Sequence, residues 1–284
     1  MVMPIISQSK PSYGEGFAMG NLSKRPNLWK NSVAFLNPSL GVTGQTLRDI
    51  SGHNKHGIFT NMTFDDWVIS GNPKSPGYAI DFNGSTEYLD TSILSTLKFT
   101  ISFWVTKDDD ISGNVVGKFN GTEIQQFFYD AINNRYSADF GKVGGTRTQI
   151  GTGTNSIELN TWYLVSWTYD GITSSIYLNG LLKESSSVVP DNWLSSQAFN
   201  IGRRAGDASY YNGKSGTILM HSQALSAAEE WDLFQYPNAM FEFADQRICR
   251  APAVGGGRIM GSLAGHGGLA GYGGIAGQRG GLAG

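Results

Sequence analysis

The sequence predicts an all-β fold, an antiparallel two-sheet sandwich over residues 45–243. Strand-like runs recur at short intervals and end in Asn-Gly or Asp-Gly pairs, as in a meander of hairpins. Apolar residues make up 40% and aromatic residues 12% of the 284 residues, enough for a core that buries most of the chain. Charged residues are only 15%, well below the usual quarter, so the surface must be built largely of Ser, Thr, Asn and Gly.

Taken in order, Tyr78-Ala79-Ile80-Asp81-Phe82 alternates before Asn83-Gly84. Phe99, Ile101, Phe103 and Val105 share one face of the next strand, with Thr100, Ser102 and Trp104 on the other, the pattern of a half-buried strand. The run from Trp162 to Tyr169 reaches Asp170-Gly171, and Ser174 to Leu178 reaches Asn179-Gly180; both dipeptides tolerate the positive φ of tight hairpin turns. Phe199 to Gly202 and Thr217 to His221 supply later strands. The one helical signal is Ser226 with Glu229 three residues on, a capping box, closed by Pro237.

Outside the sandwich, residues 1–44 are rich in Pro, Ser, Gly and Asn and predict an extended arm. Residues 244–284 predict a tail, since 14 of the last 30 residues are Gly. Formal charge divides unevenly: residues 1–30 carry +3, residues 247–284 carry +4, and the rest about −9. Basic termini on an acidic body read either as arms lying on an acidic surface or as solvated tails. Cys249 stands alone, so no internal disulfide is available, and the first residues lack the pattern of a secretory signal. No run approaches the ~18 apolar residues of a membrane span.

Several segments together resemble the laminin G-like jelly-roll family of the concanavalin A-like lectin and glucanase folds. They are the turn from Asp49 to Gly57, the strand and loop from Ala79 to Leu89, Phe99 to Trp104, Trp162 to Val165 with Tyr169-Asp170-Gly171, Tyr177 to Gly180, Tyr211 to Lys214, and Gln223 to Glu229. The resemblance covers about two thirds of the chain and implies two packed antiparallel sheets of jelly-roll type. It says less about the ligand, because one fold hosts many functions. Calcium is the cofactor it leaves open, with Asn83 and Asp170 as ligands. Asn83 replaces the usual Asp, and Ser215-Gly216-Thr217 stands where relatives show acids, so hard anionic oxygens are scarce.

Catalysis is not expected. A retaining glycosidase needs an acid and a nucleophile ~5 Å apart, typically as E-x-D-x-x-E on one strand, and that spacing does not occur. Glu229, Glu230 and Asp232 fall on the short helix, where acids favour the dipole. His53 and His56 lack a second cluster at zinc-ligand spacing. Sugar recognition would use aromatic faces and amides, for which Trp67, Trp193, Tyr210, Tyr211 and Asn212 are the candidates. Trp67 and Trp193 have core cover as their competing role, and one ring of the Tyr210-Tyr211 pair should point outward. In the tail, GSLAGH, GGLAGY and GGIAGQ place Leu263, Leu269 and Ile275 in register. Such a stripe reads as an assembly contact, together with Arg25 and Arg258, or else as disordered chain.

Two functions follow. The first is a non-catalytic structural protein of a virion or similar assembly, a bacteriophage capsid decoration or fibre component, made in a host cytoplasm, homo-oligomeric or bound to other capsid proteins by its arms. The second is a carbohydrate-binding module or lectin, extracellular or at a cell surface. A glycoside hydrolase comes third. The cations of the arms are too few and dispersed for a dedicated nucleic-acid face.

Overall fold

The computed structural model describes residues 23–40, 42–191, 193–207 and 209–242. In chain order its strands are β1 (Ser32–Leu36), β2 (Val42–Thr43), β3 (Thr46–Leu47), β4 (Gly57–Thr60), β5 (Trp67–Ile69), β6 (Tyr78–Asn83), β7 (Tyr88–Thr91), β8 (Phe99–Val105), β9 (Gly113–Phe119), β10 (Glu123–Asp130), β11 (Arg135–Lys142), β12 (Arg147–Gly151), β13 (Tyr163–Tyr169), β14 (Ser174–Leu178), β15 (Leu181–Ser186), β16 (Asn200–Ile201), β17 (Arg204–Ala205) and β18 (Asn212–His221). Helix α1 is Ala227–Gln235. An eight-stranded sheet runs β15-β14-β13-β8-β18-β6-β5, with β1 also on β18; a ten-stranded sheet runs β12-β11-β10-β9-β16-β7-β4-β3-β2. Pairing is antiparallel except where β17 lies parallel to β9. The two sheets form the sandwich of the jelly-roll type expected from the sequence.

Register follows from burying one face of each strand. Phe103 stands opposite Val165 on β13 and Ile218 on β18. From the other sheet Phe127 stacks on Phe103 at 6.1 Å, and Tyr136 stacks on Phe127 at 5.9 Å. Lower in the core Phe99 meets Trp167 edge-on at 4.7 Å, and Phe140 meets Trp167 at 5.2 Å. Asn179 and Gly180 both take positive φ, 53° and 77°, which makes the predicted β14–β15 hairpin.

One expectation needs correction. Strand β8 is buried on both faces rather than one. The reason is a second apolar layer, in which Leu28, Trp29, Leu225, Leu233 and Met240 cover Phe35, Trp104, Leu164 and Leu219 on the outer face of the eight-stranded sheet. The predicted capping box holds α1 in that layer: Ser226 Oγ accepts from Glu229 N and Glu229 Oε2 accepts from Ser226 N at 2.9 Å.

Of the residues expected as an arm, 1–44, the described ones from 23 onward pack on or within the eight-stranded sheet or pair in the ten-stranded one, and residues 1–22 lie outside the described residues. Strand β1 pairs with β18 inside the sheet, and Trp29 donates from Nε1 to Met240 O at 2.6 Å. Arg25 is tied to this layer too, 3.1 Å from Asp232 and over the Tyr236 ring, instead of reaching outward. The described chain begins and ends side by side, since Ser23 Oγ donates to Met240 O at 2.6 Å and Lys24 N donates to Glu242 O at 2.9 Å. Leu263, Leu269, Ile275 and Arg258 lie outside the described residues.

Candidate functional site

The outer face of the ten-stranded sheet differs from that of its partner, because its outward positions are mostly polar and aromatic, with Ile58 and Ile124 as aliphatic exceptions. Alternation decides which residues arrive there: Leu89, Phe127, Ala138 and Ile150 point into the core, so Tyr88, Gln126, Asp139 and Gln149 point out. Register places Gln126 opposite both Gly117 on β9 and Asp139 on β11. Strand β17 then lays Arg204 beside Gly117. Glycine eases that approach, since a Cβ on Gly117 would stand 3.2 Å from both Arg204 Cγ and Gln126 Cβ and one of them would have to give.

The result is a ladder across four strands. Asp207 Oδ2 accepts from Arg204 Nε at 2.8 Å, and Arg204 Nη1 donates to Gln126 Oε1 at 2.7 Å. Gln126 Nε2 donates to Asp139 Oδ2 at 3.2 Å, and Asp139 Oδ1 accepts from Arg147 Nε at 3.1 Å. Gln126 and Asp139 are 7% and 2% exposed, so their partners are fixed by packing as well as by hydrogen bonds. Ser137 Oγ is buried and has no partner among the described residues.

At the upper end of this face Arg203 and Tyr210 form a bridge that closes the turn before β18. The Arg203 Cζ lies 3.4 Å from the centroid of Tyr88 and 5.9 Å from that of Tyr210, while the two rings stand 6.4 Å apart at 53°. Gly113 allows this hairpin to come close, because a Cβ there would collide with Tyr210 O. Next to it Asn212 Nδ2 donates to Asp109 Oδ2 at 2.5 Å, and Lys214 Nζ donates to Asp108 Oδ2 at 2.5 Å and lies 3.6 Å from Asp81. Burial raises the Asp81 carboxyl above the ordinary carboxylate range, with Lys214 opposing the shift.

The loop carrying Asp108 and Asp109 is fastened from beneath. Lys107 Nζ donates to Asp110 Oδ1 at 2.6 Å, Tyr129 OH at 2.5 Å and Asn134 Oδ1 at 2.8 Å, which uses all three N–H bonds of a side chain only 2% exposed.

Of the expected sugar contacts, Tyr210 lies on this face, while Asn212 starts β18 in the eight-stranded sheet and bonds Asp109. Trp193 is a correction: it is buried against Phe99 and Phe140, at 5.6 and 5.2 Å, as core. Tyr211 is the inward ring of its pair, buried, and bonded through its hydroxyl to Tyr136 OH at 2.7 Å. Trp67 is half-buried on the edge strand β5 between Phe59 and Tyr78, away from the face.

The calcium pair is a further correction, because Asn83 and Asp170 lie at opposite ends of the eight-stranded sheet. Asn83 stands opposite Asn212, beyond the Val105 end of β8, whereas Asp170 follows Tyr169, which pairs with Phe99. Each closes its own turn: Asn83 Oδ1 accepts from Ser85 N at 2.9 Å and Thr86 N at 3.0 Å, Asp170 Oδ1 from Ile172 N at 2.8 Å and Thr173 N at 2.7 Å. Among the described residues no three His, Cys, Asp or Glu side chains gather as a metal site.

Tyr88, Arg203, Arg204, Gln126, Asp139 and Arg147 were not singled out from sequence. Their only signal is a polar residue at alternate places in apolar strands, as with Asp139 between Ala138 and Phe140.

Comparison with known proteins agrees with this architecture. The profile of the concanavalin A-like lectin/glucanases superfamily matches residues 82–229. The binding domain of Paraclostridial mosquitocidal protein 1 superposes with a TM-score of 0.56 at 20% identity, over 73% of this chain and 52% of that one. Domain 4 of an extracellular arabinanase from Geobacillus stearothermophilus, solved in complex with arabinotriose, gives 0.58 at 17% identity, over 72% and 98%. The binding domain of botulinum neurotoxin serotype D gives 0.58 at 13%, over 74% and 52%. The chain thus spans about half the length of either toxin domain. No curated protein sequence matches it.

Proposed function

The chain belongs to the concanavalin A-like lectin/glucanases superfamily, and on that premise we propose that it is a non-catalytic binder of surface glycans, acting through the open face of its ten-stranded sheet. It carries a lectin-like sandwich of the carbohydrate-binding type. The observation that carries the proposal is the ladder Asp207, Arg204, Gln126, Asp139 and Arg147 beside the Tyr88, Arg203, Tyr210 stack. The part-exposed groups of Arg147, Arg204 and Asp207, held in place by buried Gln126 and Asp139, meet sugar hydroxyls, and tyrosine rings meet the apolar faces of pyranoses. The same commitment of the carboxylates favours binding over hydrolysis: Asp139 is held by Gln126 and Arg147, and Asp207 by Arg204. The domain from the arabinanase supports the reading by its bound arabinotriose.

The test is a screen of immobilised oligosaccharides, followed by titration of any that bind. Tyr210→Ala should weaken binding roughly tenfold while the melting temperature stays near that of the parent, and Gln126→Ala should weaken binding to a similar extent but lower the melting temperature too, because it strips buried Asp139 of a hydrogen bond. Absence of binding to every glycan, or binding indifferent to both substitutions, sinks the proposal.

Attachment to a larger assembly, such as a virion, is the second part of the proposal. Its support is that the described chain begins and ends together in the layer over the eight-stranded sheet, on the side of the sandwich away from the open face. Residues 1–22 and 243–284 would then hold the body while the ladder faces outward. Light scattering of the full chain beside a chain ending at Phe243 tests self-assembly. A trimer or larger against a monomer supports it, and two monomers count against it.

A further inference from the structure

Resting on the glycan-binding reading, we propose that the open face takes saccharides carrying an anionic oxygen group, and that Arg203 is the residue that binds that group.

Four guanidinium groups lie on or beside the face, and three have a carboxylate of their own. Arg204 pairs with Asp207, Arg147 with Asp139, and Arg135 with Asp130 at 3.5 Å. Arg203 has no carboxylate partner among the described residues. Its one hydrogen bond is long, from Nη1 to the Tyr210 hydroxyl at 3.4 Å, and its buried Nε has no partner. A guanidinium keeps its charge at any physiological pH and offers N–H groups in a rigid fork that matches carboxylate or sulfate oxygens. Here that fork is half-buried and unneutralised.

Stacking sets the direction of the fork. With Cζ 3.4 Å from the Tyr88 ring and Tyr210 on its flank, the guanidinium plane is held before a ligand arrives. Little rotamer freedom remains to be lost on binding, which favours affinity. Buried Nε leaves the Nη groups as the bonding end. A saccharide seated by Tyr210 and the Arg204–Gln126 ladder would place a substituent of one ring within reach of that end. Had Arg203 served only to clamp the hairpin, a nearby acid would satisfy it as Asp207 satisfies Arg204 three residues away in the chain.

The experiment is calorimetric titration with three probes: an oligosaccharide of glucuronic acid, its carboxyl-reduced neutral counterpart, and the O-sulfated form of that counterpart. The parent protein should bind at least one anionic probe on the order of tenfold more tightly than the neutral one, and added salt should shrink the difference. Which anionic probe is preferred identifies carboxylate or sulfate as the group. In Arg203→Gln the ratio of anionic to neutral binding should fall to about one, whatever happens to neutral binding when the stack on Tyr88 and Tyr210 is lost. Arg203→Lys should keep part of the preference, because lysine restores charge without the fork. Equal binding of all three probes by the parent protein overturns the anionic preference, a preference that survives in Arg203→Gln overturns its assignment to Arg203, and both outcomes leave the glycan reading standing. Failure of the parent to bind any glycan in the wider screen overturns both. The parent ratio decides the anionic preference by itself, and Arg203→Lys reads the Arg203 assignment should Arg203→Gln not fold.

Discussion

Replacing Glu230 by glutamine should flatten the dependence of stability on pH just above neutrality. Glu230 lies on the inner side of α1, fully buried, with neither carboxylate oxygen at hydrogen-bonding geometry to a partner. Beneath it are the outward positions of the eight-stranded sheet, where Ser166 stands opposite Ser102 and Tyr177. Burial raises its carboxyl from the ordinary 4.5 to about 8; Ser166, which favours the charged form, offsets only part of this, and Glu229 adds a further push upward. Burial raises the Tyr177 phenol, and Glu230 adds to that shift.

Above pH 4.5 the unfolded chain releases this proton, while the folded chain keeps it until about 8. The folded state therefore binds more protons throughout that window, and stability falls as pH rises through it. At 1.36 kcal/mol per unit the whole interval is worth on the order of 5 kcal/mol. His221 opposes it at the acid end. Buried with Nε2 2.7 Å from Leu28 O, it titrates at about 4 instead of 6.5, so stability is lost as pH falls through that range. The two slopes overlap between 4.5 and 6.5, which leaves 6.5 to 8 as the window where Glu230 acts without His221. About 2 kcal/mol should disappear there, or roughly 4–8 °C of melting temperature for a domain of this size. Glutamine is nearly isosteric and uncharged, and its amide can bond the serine hydroxyls. Thermal melts followed by circular dichroism at about pH 6.5, 7.2 and 8 compare the two proteins. Parallel curves for parent and Glu230→Gln would mean that the carboxyl is solvated in the folded state, refuting the burial argument.

Four other outcomes follow from the same packing. Lys107→Met should destabilise the fold by roughly 2–3 kcal/mol in urea titration, because Tyr129 and Asn134 lose the buried ammonium they bond. Gly113→Ala should displace the hairpin bearing Tyr210 and abolish glycan binding, since the new methyl meets Tyr210 O; binding equal to the parent would show that the hairpin yields freely. Ser226→Ala should cost about 1 kcal/mol through loss of the α1 cap, read as a lowered melting temperature. Lys118 is fully buried with Ser195 Oγ at 3.1 Å, and burial lowers its amine from 10.5 to about 8. Stability should therefore rise again between pH 8 and 10.5, and Lys118→Met should remove that rise.

What could be read from the sequence, and what could not, separates along one physical line. Local signals were legible because neighbours in the chain create them: the alternation of Phe99 to Val105, the positive φ of Asn179-Gly180, and the capping box of Ser226 with Glu229. Asp49 belongs with these, for its carboxylate accepts from Ser51 N and Lys55 N within its own turn. The candidate face depends instead on which strands lie side by side. Gln126, Asp139 and Arg204 are separated by up to 78 residues and touch because β10 sits between β9 and β11 while β17 returns to β9. No alternation pattern encodes that order. The same gap explains the misplaced aromatics. Trp193 and Tyr210 both sit in turn-rich sequence and look alike there, yet Trp193 faces Phe140 across the core and Tyr210 faces Tyr88 across the outer surface. It also explains why β8 looked half-exposed: the apolar layer on its outer side comes from residues 23–30 and 225–241, distant at both ends of the chain. That layer has a functional consequence. Once the middle of one sheet is covered by the two ends of the described chain, the other presents its outward polar and aromatic side chains, with Arg147, Arg204, Asp207 and Tyr210 part-exposed and held by buried Gln126 and Asp139.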